Sequence, residues 1–122
     1  MRRYNSKSWS DWEQIYPSVT SGSNDRGTWI KYPDGTMICS ICRTDQVIET
    51  GGIVVTFPQE FADNNYTAVV NVAQPYDMVA CVECNYTATT NVWFYNLDGS
   101  STAWKMVTYT MIAIGRWKRW RR

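Results

Sequence analysis

The chain has 122 residues, of which 44% are hydrophobic and 19% charged, the balance of one folded domain large enough to close a modest core. No apolar run approaches the ~18 residues of a membrane-crossing helix, and the basic start MRRYNSKSWSDW has no apolar stretch behind it of the kind a secretory signal needs. The formal charge of +1 is unevenly spread: Arg116, Lys118, Arg119, Arg121 and Arg122 hold five of the twelve basic residues, leaving an acidic body that repels phosphate backbones and argues against a nucleic-acid partner.

Residues 1–26 read as a polar neck or linker. Within it, Ser10-Asp11-Trp12-Glu13 has the spacing of a capping box and predicts a short helix that Pro17 stops. SVTSGSNDRG then reads as linker, and strand signals begin at Gly27. TWIKY runs into Pro33-Asp34-Gly35, where proline presets one dihedral and glycine accepts a positive one, so TMICSIC should return as the second arm of a hairpin. GGIVVTFP is a short strand bounded by glycine and proline. NYTAVVNVA alternates, with Tyr66, Ala68, Val70 and Val72 on one face. DMVACVEC and NVWFYN are further strands, and Asn96–Ser100 is a turn.

The last element, AWKMVTYTMIAIGRW, places Val107, Tyr109, Met111 and Ala113 on one side and Thr108, Thr110, Ile112 and Ile114 on the other. Roughly seven short strands separated by turns predict an all-β fold, an antiparallel β-sandwich over residues 27–118, with 119–122 as a basic tail. Near its end the final strand is apolar on both faces. A half-exposed strand should not be, so another subunit is expected to cover its outer side.

Three segments carry a family likeness. GTWIKYPDGTMIC, VTFPQEFADNNYTAVV and the closing AIGRWK, in that order, resemble the C-terminal receptor-binding tip domain of phage tail fibres. The resemblance implies a β-sandwich that assembles as an intertwined or closely packed homotrimer on a short neck. It implies adhesion without catalysis to a receptor on the bacterial surface, often a glycan. It also implies attachment to other tail-fibre components, a place at the fibre tip of the virion, and synthesis in the cytoplasm of the host bacterium. The chain departs from the pattern at Ser40-Ile41, where Trp-Gly is common, and in the RWRR that extends past Trp117 and Lys118. Residues 1–26 are too short for a whole fibre shaft.

The chemistry-bearing residues are few. Cys39-x-x-Cys42 and Cys81-x-x-Cys84 have the spacing of a four-thiolate zinc site, which makes a zinc-dependent interaction domain the rival reading. Against it, neither pair contains a glycine. Positions three apart in a strand also point to opposite faces, so one thiol of each pair should pack inward as a small core residue. There is no histidine, which removes the commonest general base. A polysaccharide depolymerase would need only two carboxylates, but Asp34, Asp63 and Asp98 sit where aspartate serves turns, and Glu49, Glu60 and Asp77 look solvated.

Seven tryptophans and eight tyrosines exceed what this core needs. Flat rings with a polar handle suit sugar faces. Trp93, Tyr95, Asn96, Asp98 and Trp104, around one turn, are therefore the candidate ligand-binding group. In a trimer, Arg119, Arg121 and Arg122 would concentrate positive charge that anionic bacterial polymers find attractive. The tail is too short to insert into a membrane.

Overall fold

Alternation of apolar and polar residues, broken by Gly, Pro, Asn and Asp, produces eight strands and no α-helix among the described residues. The computed structural model of the protein describes residues 18–75 and 77–119. The helix expected at Ser10–Glu13, together with Arg121 and Arg122, lies outside them. The strands are β1 (Thr20–Asn24), β2 (Gly27–Lys31), β3 (Thr36–Gln46), β4 (Gly52–Thr56), β5 (Thr67–Gln74), β6 (Met78–Glu83), β7 (Thr89–Asn96) and β8 (Met106–Arg116). All pairings are antiparallel. They form a five-stranded sheet in the order β1-β2-β3-β8-β5 and a three-stranded sheet in the order β4-β7-β6.

The stretch read as linker is partly strand. Thr20–Asn24 pairs with β2, and Gly22 lies opposite Trp29. The sequence signal is weak because TSGSN carries no apolar alternation. What holds it is the flat Trp29 ring, which covers Gly22 so closely that a Cβ there would sit 2.3 Å from the indole. The expected turns are present: Asp34 Oδ1 accepts from the Thr36 N–H at 2.9 Å, and Asp98 and Asp63 do the same two residues on.

The inner faces of the two sheets meet in one core. β3 and β8 contribute Met37, Cys39, Ile41, Val107, Tyr109, Met111 and Ala113, while β4, β6 and β7 contribute Ile53, Val55, Met78, Val92 and Phe94. Phe94 and Tyr109 face each other across the sheets with ring centroids 6.0 Å apart. Each fully buried large side chain contributes ~1.5–3 kcal/mol by leaving water. Between β4 and β5, Phe57, Phe61 and Tyr66 form a ring cluster with centroids 4.8–5.1 Å apart. Gly115 lies against it.

The C-terminal end of β8 is locked in place by polar contacts as well. Arg116 Nη2 donates to the Asp34 carbonyl at 2.9 Å, and Trp117 Nε1 donates to the Tyr32 carbonyl at 2.8 Å. The Ala62 N–H donates to the Arg116 carbonyl at 2.7 Å and the Trp117 N–H to the Gly35 carbonyl at 2.9 Å. Lys31 and Lys118 place their ammonium groups 5.5 and 5.1 Å from the Trp117 ring. Tyr109 is the core's polar exception: its hydroxyl donates to Asp45 Oδ2 at 2.7 Å. Burial first, then the bond to Asp45 and the carboxylate's charge, push this phenol well above its ordinary 10.0.

Two predictions follow from this packing. A Cβ at Gly115 would come within 2.7 Å of Tyr66 Cβ and 2.8 Å of Phe61 Cδ1, so Gly115→Ala should cost about 1–3 kcal/mol in denaturant unfolding. Tyr109 holds its proton more tightly folded than unfolded. Its contribution is therefore complete below the unfolded value near 10 and is lost as pH rises through the folded one. Tyr109→Phe should cost about 1 kcal/mol near neutral pH and progressively less above about pH 10, measured by denaturant titration at several pH values.

Candidate functional site

The strands divide the molecule into two ends. Thr36 of β3 pairs with Arg116 of β8, and Thr20 of β1 pairs with Lys31. One end therefore carries the start of β1, the β2–β3 turn and the finish of β8. Gln46 pairs with Met106, so the other end carries the loops after β3, β5 and β7. An eleven-residue strand separates them by roughly 35 Å. The candidate aromatic group around the turn after β7 and Arg119, the described residue of the basic tail, stand at opposite ends.

At the loop end, Asn96 is buried and points into the fold. Its Nδ2 donates to Ser100 O, Ser100 Oγ and Ser101 O at 3.0–3.2 Å, which winds the loop after β7. Asp98 Oδ1 accepts from the Ser100 hydroxyl and N–H at 2.7 and 2.9 Å. The hydroxyl bond, then the backbone one, hold its carboxyl below the ordinary range. Both side chains are engaged in shaping the loop. Trp93 and Tyr95 share the outer face of the three-stranded sheet. Trp93 lies over Gly52, and its Nε1 donates to Glu83 Oε1 at 3.2 Å. Tyr95 is exposed.

Trp104 differs from its neighbours. Its backbone is left-handed, φ 65°, a conformation costing a bulky L-residue on the order of 1–3 kcal/mol. It is held there by its N–H donating to the Val47 carbonyl at 2.9 Å and by Gln46 Nε2 donating to its own carbonyl at 3.0 Å. The residue is nonetheless 58% exposed, two positions before an exposed Met106. A strained backbone that presents an aromatic ring to solvent is a feature of binding surfaces.

At the other end, Arg116 and Trp117 are engaged in the contacts already described, and Arg119 is exposed. The four cysteines separate as strand geometry demands. Cys39 is buried on the inner face of β3, and burial pushes its thiol up to about 11, while Cys42 is exposed on the outer face. Cys81 is exposed, and Cys84 packs partly against the core. The chain does not bring Cys39, Cys42, Cys81 and Cys84 together, and no group of three metal-ligating side chains converges among the described residues.

The outer face of the five-stranded sheet near the β8 finish carries an apolar patch. Ile30, Ile38 and Ile114 form one cross-strand row, and Ile112 with Val69 begins the next. Ile112, Ile114 and Val69 are 47%, 48% and 61% exposed. The two-faced character of the last strand is thus real in the fold. Sequence reading missed a second feature: Arg43 and Asp45 continue the inward-facing alternation Met37-Cys39-Ile41 and so place charge at core-facing positions. The signal was there in the two-residue period.

No protein-family model matches the chain, and no curated protein proves similar to it. Solved structures are similar in fold. The C-terminal residues 323–691 of the R2 pyocin fibre of P. aeruginosa align at 17% identity and TM-score 0.61, over 82% of this chain and 26% of that one. The corresponding R1 pyocin fibre fragment of P. aeruginosa aligns at 15% and 0.53, over 80% and 27%. An N-truncated R1-type pyocin tail fibre aligns at 14% and 0.58, over 94% of this chain and 99% of that one. The chain spans about a quarter of the two longer fragments. Its arrangement of antiparallel sheets is one that pyocin tail fibres use.

Proposed function

We propose that this chain is a receptor-binding module at the tip of a phage-type tail fibre, built as a homotrimer and adhering to a bacterial surface glycan without turnover. One observation carries the reading: this chain, similar in fold to pyocin fibres, presents an aliphatic face of Ile30, Val69, Ile112 and Ile114, with half-buried Ile38 among them, that one copy leaves in water. Burying such side chains is worth ~1.5–3 kcal/mol each. Further copies of the same chain are the occupants always at hand, and the number three is the one that the sequence resemblance to tail-fibre tips implies. β1 starts at the end where β8 finishes, and a fibre joined there would hold the loops after β3, β5 and β7 at its far end. Those loops carry Trp104 and Leu97, and individually weak contacts there would multiply over three copies. On this reading the protein belongs to the virion and joins other tail-fibre components.

Sedimentation at micromolar concentration should give three times the 14.1 kDa chain mass, and Ile112→Lys with Ile114→Lys should give a folded single copy. A stable wild-type monomer would reject the assembly. For adhesion, Trp104→Gly relieves the strained φ and removes the ring. It should leave stability unchanged or raised while weakening cell adsorption about tenfold, some 1.4 kcal/mol. Replacing Arg119, Arg121 and Arg122 with Ser tests the other end: little change in adsorption places recognition in the loops, and a large salt-dependent loss returns it to the basic tail.

A further inference from the structure

β2 covers β3 only from Met37 to Ser40, whereas β3 runs on to Gln46. Beyond Ser40 the five-stranded sheet therefore has an open margin, and it faces β4, the edge strand of the smaller sheet. Between them lies a cleft of about 430 Å³, within the range of small-ligand sites. The β1–β2 turn supplies Asp25 and Arg26, β3 supplies Arg43, Asp45 and Gln46, and β4 supplies an aliphatic wall.

The polar groups are partly fixed and partly free. Asp45 Oδ2 accepts from the buried Tyr109 hydroxyl at 2.7 Å and pairs with Arg43 Nε at 3.3 Å. Asp45 Oδ1 and the terminal nitrogens of Arg43 have no partner among the described residues, and neither does the guanidinium of Arg26, whose backbone N–H donates to Asn24 Oδ1 at 2.9 Å. A carboxylate oxygen beside a planar guanidinium offers an acceptor and a fork of donors a few ångströms apart, which is the complement of two neighbouring hydroxyls. Two aspartates balance two arginines, so the cleft as a whole favours neither anion nor cation. The open stretch of β3, Ile41 to Gln46, is about 17–20 Å long, and the inward-pointing charges of Arg43 and Asp45 in it are of the kind that discourage an added peptide strand.

We propose that this cleft between β3 and β4 holds one or two rings of an uncharged saccharide through vicinal hydroxyls, with Arg43 and Asp45 as the contacting pair. The inference rests on the adhesion reading and assigns it a ligand chemistry. It lies on the opposite face of β3 from the aliphatic patch, so a subunit packed on that patch leaves Arg43 and Asp45 on the other side. Gln46 links the cleft to the loop end through its bond to the Trp104 carbonyl. The competing role for inward-pointing charges at a sheet margin is to discourage edge-to-edge association.

The test is adsorption of the full chain to a panel of Gram-negative strains that includes Pseudomonas, before and after mild periodate oxidation, which cleaves vicinal diols. Arg43→Ser and Arg26→Ser are compared with wild type after melting curves establish that both fold. Periodate-sensitive wild-type adsorption, weakened about tenfold by Arg43→Ser and less by Arg26→Ser, is the expected result. Periodate-insensitive adsorption overturns the diol ligand. Sensitive adsorption with unchanged variants overturns the cleft but leaves the adhesion reading intact, and a variant that aggregates while still adsorbing assigns the charges to edge protection. Absence of wild-type adsorption to every strain overturns the adhesion reading and this inference with it.

Discussion

Everything in this fold depends on how the finish of β8 is secured. β8 is the strand that bonds to both β3 and β5, so it ties the five-stranded sheet together. Its last residues are held by partners more than eighty positions earlier, through Arg116 to Asp34 and Trp117 to Tyr32, and by the ring cluster of Phe57, Phe61 and Tyr66. Only glycine at 115 lets strand and ring cluster approach so closely. The three segments that resemble tail-fibre tips are distant in sequence, yet they meet here. The turn and the ring cluster both pack on the strand end.

That lock has a consequence for function. The residues it uses are occupied, and Arg116 in particular is engaged with backbone carbonyls. The loop end bears no such load. Asn96 and Asp98 wind its main loop from within, and Trp104 is held left-handed by Val47 and Gln46. Local side-chain hydrogen bonds and a tethered backbone give a loop of fixed shape, which lowers the ordering entropy a ligand must overcome.

Most strands and their inward faces were legible because burial imposes a two-residue period. The inward sets of β5 and β8 read from the sequence are those in the core. β1 escaped because its pairing depends on the Trp29 ring lying over a glycine, a cross-strand contact that leaves no period in TSGSN. The aromatic group was legible as a cluster in sequence but not as a surface. Alternation turns Asn96 inward and Tyr95 outward, and the approximate length of β8 separates Trp104 from Arg119. The charges at Arg43 and Asp45 were visible and unread, since an apolar strand that turns charged on its inner face makes sense only once the margin left by β2 is known.

The two halves of the large sheet are in fact patterned in opposite senses. Near the β8 finish, the inner face is apolar and so is the outer face, with Ile30, Ile38, Ile112, Ile114 and Val69 in neighbouring rows. Towards the loops, the outer rows become Cys42, Thr110 and Asn71, then Thr44 and Thr108, whose hydroxyls lie 2.8 Å apart. On the inner face of β3, the apolar set gives way to Arg43 and Asp45. A face that must bind other copies needs to be dry, and a margin that must bind a hydrated ligand needs polar groups in reach of water. A single strand pair, β3 and β8, changes its pattern along its length in this way, and the proposed reading assigns association to one half of the sheet and recognition to the other.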